Sequence, residues 1–154
     1  MNVLIADATL SPAGLMPEGR RTLSSAEDGK PALGTIPGRW VAIVDDHDSI
    51  RSALALSFRI EGIHAETFAS AEEYLAHSEA TPPYCLVLDM QLPGMTGHEL
   101  ARFLERERPP LPPTVFISGH DDLLASLDGC FQALGRLRKP FETDALMALV
   151  KPLS

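Results

Sequence analysis

Short apolar runs that end on a charged or hydroxyl side chain are the feature that most limits how this chain can fold. Three runs have this form: 40–44 before Asp45 and Asp46, 84–88 before Asp89, and 114–117 before Ser118. Runs of this length, rich in Val, Ile and Leu, are typical of strands that are buried on both faces of a parallel sheet. The sequence between them therefore has to supply helices that cover both faces.

Helical patterns occupy the intervals between these runs. A capping residue followed by apolar positions at helical spacing predicts helices at 48–60, from Ser70 onward, at 97–108, at 121–134 and at 142–150. Two further strands are predicted at about 63–68 and in a short segment that closes at 137–140. Five strands that alternate with five helices predict an α/β fold with an all-parallel, doubly wound sheet.

Residues 1–39 differ in composition from the remainder, because 9 of these 39 residues are Pro or Gly. We interpret 1–39 as a flexible extension and 40–154 as the folded domain. Charges within 1–39 balance, so the net charge of −8 belongs to 40–154, which disfavours direct binding to nucleic acid. No apolar run is long enough for a membrane span, and no basic secretory start is present, so we expect a cytoplasmic protein without membrane contact.

The polar residues at the strand ends predict a cation site. Parallel strands bring their carboxyl ends to one edge, which would gather Asp45, Asp46, Asp89, Ser118 and the ammonium of Lys139. Carboxylates in one cleft repel one another unless a cation neutralises them, and Mg²⁺ prefers such oxygen ligands. Neither His nor Cys stands at these strand ends, so zinc is disfavoured. A carboxylate beside Mg²⁺ can also act as a nucleophile toward phosphorus.

These residues resemble the receiver domain of two-component response regulators. The resemblance covers 40–150 and rests on the acid pair Asp45-Asp46, on Asp89, on the turn LPGMTG at 92–97, on Ser118, and on Lys139 in the segment KPF. It implies a flavodoxin-like fold with strand order 2-1-3-4-5. Because the sequence stops at Ser154 with no output domain, we expect a single-domain regulator.

The resemblance also implies roles for individual residues. Asp89 would be the phosphoacceptor, and Asp45, Asp46, Asp89 and the main-chain carbonyl of Gln91 would hold Mg²⁺. Lys139 and Ser118 would bind phosphoryl oxygens, and Pro140 would follow a cis peptide bond. Gln91 and His120 would flank the entrance, whereas His47 is interpreted as a solvated loop residue. The expected partners are a histidine kinase or phosphotransfer protein and an unidentified protein effector.

One position departs from the receiver pattern. Arg136 stands three residues before Lys139, where receivers usually carry Tyr or Phe. An alternative is therefore a degenerate receiver that binds proteins without being phosphorylated. An aspartyl-phosphate hydrolase is disfavoured, because Gln91 stands where such enzymes place a second acid. We accordingly expect a protein that catalyses only its own phosphorylation and dephosphorylation.

Overall fold

Strands and helices alternate along the chain in the order that the apolar runs predict. The computed structural model describes residues 39–77, 81–127, 131 and 133–153. Within these residues the strands are β1 (Val41–Val44), β2 (Ala65–Phe68), β3 (Cys85–Asp89), β4 (Thr114–Ser118) and β5 (Gly135–Arg138). The helices are α1 (Asp48–Ile60), α2 (Ala71–Ala76), α3 (Gly97–Glu107), α4 (Asp121–Ala125) and α5 (Thr143–Val150), followed by a 3₁₀ turn, Lys151–Leu153.

The five strands form one parallel sheet in the order β2-β1-β3-β4-β5. Val44 pairs with Leu88, Asp89 pairs with Ile117, and Ser118 pairs with Arg138. The carboxyl ends of these strands are therefore level with one another. Both the predicted α/β class and the predicted strand order are confirmed.

Each face of the sheet carries its own apolar cluster. In β1, Ala42 and Val44 belong to one cluster, whereas Val41 and Ile43 belong to the other, and all four side chains are fully buried. Residues of α2, α3 and α4 pack in the first cluster, and residues of α1 and α5 pack in the second. This two-sided cover explains why the strand sequences are continuously apolar.

Capping interactions set the starts of α2 and α3 where the sequence predicts them. The Ser70 hydroxyl accepts a hydrogen bond from the Glu73 amide at 3.0 Å. Thr96 and Glu99 form a reciprocal capping box with bonds of 3.1 and 2.9 Å. Both caps satisfy amide groups that a helix leaves unpaired at its first turn.

The largest difference from prediction lies between β4 and β5. The predicted helix at 121–134 is wrong in length, since α4 ends at Ala125, although residues 128–130 and 132 lie outside the described part of the chain. The last strand begins earlier than expected and ends before Lys139. A β-carbon on Gly135 would lie 2.4 Å from Leu149 Cδ1, so this glycine permits α5 to approach β5 closely.

The domain boundary near Trp40 is only partly visible. By internal contacts the chain divides into Met1–Pro31 and Ala32–Ser154, and the described residues all belong to the second unit. Apart from Arg39, the predicted flexible extension at 1–39 lies outside the described residues. Among the helices that are described, none has both the length and the apolar character needed to cross a bilayer.

Candidate phosphoacceptor site

Two buried carboxylates and one ammonium meet at the carboxyl edge of the sheet. The side chains of Asp45 and Asp89 are 2% and 1% exposed, and that of Lys139 is 17% exposed. Lys139 Nζ lies 3.0 Å from Asp45 Oδ2 and 3.0 Å from Asp89 Oδ2. The parallel order β1-β3-β4-β5 brings these residues together, because Asp45 directly follows β1, Asp89 is the last residue of β3, and Lys139 directly follows β5.

The electrostatic balance of the pocket favours a proton or a cation at Asp89. Burial raises the pKa of Asp89, and the charge of Asp45 raises it further. The Gln91 amide, which donates to Asp89 Oδ1 at 2.9 Å, and the Lys139 ammonium oppose this rise without cancelling it. Burial alone would lower the pKa of Lys139, but its bonds to Asp45 and Asp89 outweigh that effect and raise it. One ammonium therefore compensates the two buried carboxylates incompletely.

Asp46 adds a third carboxylate at the rim of this pocket. Single ligand atoms of Asp45, Asp46, His47 and Asp89 all lie within 4.8 Å of one another. The Asp46 side chain is 34% exposed, so it faces solvent while Asp45 faces the interior. Carboxylate oxygens beside a rim that Asp46 opens to water are a donor set that suits Mg²⁺, since Mg²⁺ usually keeps several of its own water ligands. The residues present therefore fit this cation.

His47 is the residue whose position the sequence did not predict. Its side chain is 59% exposed, as expected for a loop residue, yet Nδ1 lies 3.0 Å from Asp45 Oδ1 and 3.2 Å from Asp46 Oδ1. His47 does not belong to a strand end, yet its ring contacts both acids, because it follows them directly and its amide donates to Asp45 Oδ1 at 2.9 Å. The available signal was its position directly after the acid pair.

Ser118 lies at the end of β4, fully buried. Its hydroxyl oxygen accepts a hydrogen bond from the His120 amide at 3.0 Å, and its carbonyl accepts one from the Lys139 amide at 2.8 Å. The Lys139–Pro140 peptide bond is cis, as the resemblance implies. The roles predicted for Ser118, for His120 and for the Gln91 carbonyl stay predictions.

Arg136 points away from the interior of the sheet. It is exposed on β5 and pairs in register with the buried Phe116 of β4. Its exposure agrees with the argument that a guanidinium is not stable in an apolar slot. Next to it, Arg138 Nε lies 3.4 Å from Asp121 Oδ1 and so connects β5 to the start of α4.

Comparison with known proteins agrees with this fold and this site. The family described as "Response regulator receiver domain" matches residues 41–151. The DNA-binding transcriptional regulator NtrC of Salmonella typhimurium is 35% identical over 112 residues, which are 72% of this chain and 24% of NtrC. This chain thus spans only about a quarter of that relative's length.

Two solved structures show the same architecture. A CheY-like response regulator receiver domain protein from Methanospirillum hungatei is 27% identical with a TM-score of 0.63, over 74% of this chain and 90% of that one. The response regulator TrrA from Thermotoga maritima, in complex with Mg²⁺ and BeF, is 25% identical with a TM-score of 0.63, over 75% and 98% of the two chains.

The doubly wound parallel sheet, with buried acids and a lysine at its carboxyl edge, agrees with the class of receiver domains in two-component signalling. This chain belongs to the response regulator receiver domain family.

Proposed function

We propose that this chain accepts a phosphoryl group on Asp89 from a histidine kinase or a phosphotransfer protein, with Mg²⁺ in the acidic pocket. Phosphorylation would switch the binding of a protein effector. The observation that carries the proposal is the contact of Lys139 Nζ, at 3.0 Å, with each of the two buried carboxylates. TrrA, a relative of the same fold, is described in complex with Mg²⁺ and BeF, which supports cation binding at this pocket.

The transfer itself requires few groups. A carboxylate oxygen of Asp89 attacks phosphorus, the bond between phosphorus and the donor breaks, and the donor leaves with the electron pair. Bound Mg²⁺ would neutralise the carboxylates and the charge on the phosphoryl oxygens. The Gln91 amide holds Asp89 Oδ1 at 2.9 Å and thereby orients the carboxylate. Lys139 Nζ contacts Asp89 Oδ2 and is close enough to move this contact to a phosphoryl oxygen.

Ser118 supplies the connection from the site to the rest of the domain in this proposal. Its hydroxyl oxygen accepts from the His120 amide, so its own proton remains available to a phosphoryl oxygen. A shift of Ser118 toward that oxygen would move the loop between β4 and α4. The protein would act as an enzyme only on itself, by catalysing its own phosphorylation and dephosphorylation.

The acidic net charge of residues 40–154 supports protein partners rather than DNA for this domain. NtrC is described as DNA-binding, but this chain matches only 24% of it. We propose a cytoplasmic location and a role without direct nucleic-acid contact.

Phosphoryl uptake is tested with acetyl phosphate and intact-mass measurement, with and without Mg²⁺. We expect a Mg²⁺-dependent gain of one phosphoryl group in the wild type and none in Asp89→Asn. Asp122→Asn is the matched control, because Asp122 is an exposed acid on α4, and this variant should gain the group. Uptake that persists in Asp89→Asn would disprove the assignment of the acceptor. No uptake in the wild type would favour a binding module that works without phosphorylation.

A further inference from the structure

We propose that His47 is a ligand of the divalent cation in the acidic pocket, and that its imidazole makes this pocket prefer a first-row transition-metal dication, such as Ni²⁺ or Co²⁺, over Mg²⁺. The inference rests on the pocket of the proposed function, but it concerns a residue for which that function requires no role.

The backbone holds His47 over the acid pair. His47 is the residue before the first turn of α1, and its side chain makes no capping hydrogen bond to that helix. Its amide donates to Asp45 Oδ1 at 2.9 Å, and its Nδ1 lies 3.0 Å from the same oxygen. The imidazole is therefore placed by its own main chain, and its side chain is 59% exposed, so the remaining edge of the ring is open to solvent.

Nδ1 lies between the two acids where a shared cation would bind. It is 3.0 Å from Asp45 Oδ1 and 3.2 Å from Asp46 Oδ1, and one ligand atom from each of these three residues and from Asp89 lies within 4.8 Å of the others. Two carboxylate oxygens and one imidazole nitrogen would thus supply three ligand atoms on one side of a bound cation. A cation binds Nδ1 only in its unprotonated form, so binding would displace any proton that Nδ1 shares with the carboxylate oxygens.

The chemistry of the ligand atoms determines which cation binds more tightly because of His47. Carboxylates and water satisfy Mg²⁺, which gains little from a nitrogen ligand. Imidazole is a good ligand for nickel, copper and zinc, and the affinity of a mixed oxygen and nitrogen site rises along the first row toward copper. A fourth donor of this type, added to three carboxylates, therefore strengthens transition-metal binding selectively.

Isothermal titration of the full, untagged chain with Mg²⁺ and with Ni²⁺ tests the inference. We expect the wild type to bind Ni²⁺ more tightly than Mg²⁺. His47→Ala should lose about tenfold or more in Ni²⁺ affinity, as expected when a group that supports a metal is removed. Its Mg²⁺ affinity should change little. His47→Gln, which keeps a polar side chain of similar length, should lose the Ni²⁺ preference in the same way.

His64→Ala is the matched control. His64 Nε2 lies 2.7 Å from Glu66 Oε2, so this pair is a half-buried imidazole beside a carboxylate, before and within β2 and away from the acidic pocket. We expect this variant to keep the wild-type affinities. An equal loss of Ni²⁺ affinity in His64→Ala would mean that surface histidines bind the ion, and it would overturn the inference.

Other outcomes separate the two proposals. If Mg²⁺ binds and Asp46→Asn weakens it, but His47→Ala leaves Ni²⁺ affinity unchanged, the role of His47 is disproved and the proposed function stands. If neither cation binds the wild type, both proposals fail. The d–d absorption of bound Co²⁺ provides a second readout, since loss of a nitrogen ligand in His47→Ala should change the spectrum.

Discussion

Lys139 places a single ammonium between two buried carboxylates. Asp45 and Asp89 are almost completely removed from water, and Lys139 Nζ lies 3.0 Å from an oxygen of each. Removing one member of a buried ion pair leaves a charge without compensation, which usually costs more than the pair contributes. The stability of the apo protein should therefore depend on Lys139 more strongly than on any exposed ion pair of the described residues.

Lys139→Met should lower the free energy of unfolding by about 3–5 kcal/mol in the absence of divalent cations. Because the pKa of Lys139 is raised in the fold, its stabilising contribution is complete below the ordinary pKa of lysine, about 10.4, and is lost as the pH rises through the raised value. Urea denaturation with EDTA, at neutral and at alkaline pH, measures both effects. The difference between the variant and the wild type should shrink at alkaline pH.

Arg138→Met is the control for this prediction. Arg138 precedes Lys139, and its ion pair with Asp121 joins side chains that are 60% and 72% exposed. We expect a loss below about 1 kcal/mol, as for other exposed pairs. Equal losses in Lys139→Met and Arg138→Met would show that the buried carboxylates do not depend on Lys139.

At the scale of elements, the start of α3 rests directly on the strand that carries the acceptor. A β-carbon on Gly97 would lie 2.2 Å from the Asp89 carbonyl oxygen and 2.9 Å from Met90 Cα. The Gly97 amide also donates to the Met90 carbonyl at 3.2 Å. The backbone of Asp89 and the first residue of α3 are thus in contact, so the glycine sets how close helix and strand can be.

Gly97→Ala should force α3 away from β3. We expect a loss of about 1–3 kcal/mol in the free energy of unfolding, as for other overpacked sites, together with slower phosphoryl uptake from acetyl phosphate. Gly119→Ala is the control, since its added β-carbon would meet only Gln91 Oε1, at 3.7 Å. That variant should stay within about 0.5 kcal/mol of the wild type. Normal uptake in Gly97→Ala would mean that Asp89 tolerates a shift of this contact.

Elements and their order follow from the sequence because local signals agree with the sheet. The capping residues Ser70 and Thr96 and the buried runs of β1, β3 and β4 all lie where their patterns predict. The prediction of a helix over 121–134, between β4 and β5, was wrong in length. The apolar residues of this region fit a helix as well as they fit the segment that leads into an edge strand. The contact of Gly97 with Asp89 depends on the distance between two segments, which a linear pattern does not contain, whereas the contact of His47 with Asp45 is local and depends on the direction of one side chain.

At the scale of the whole molecule, the two residues just before β1 contact distant segments of the described fold. Trp40 is 4% exposed, its Nε1 donates to the Thr81 carbonyl at 3.0 Å, and its ring packs edge-on against Phe68. The Arg39 guanidinium lies 4.6 Å from the centre of the Tyr84 ring and donates to the Leu153 carbonyl near the other end of the described chain. Among the residues that the structure describes, the members of both apolar clusters begin at Trp40.

Because the composition of residues 1–39 predicts a flexible extension, a fragment of residues 32–154 should unfold with the free energy of the full chain, within about 0.5 kcal/mol, and should take up a phosphoryl group equally well. A fragment of residues 41–154 lacks Arg39 and Trp40, and the loss of the buried indole should cost about 3–5 kcal/mol. Urea denaturation of the full chain and of both fragments measures their stability. Intact mass after incubation with acetyl phosphate measures their phosphoryl uptake. A markedly less stable 32–154 fragment would show that residues 1–31 contribute to the folded domain. Equal stability of the two fragments would show that Trp40 does not anchor β1.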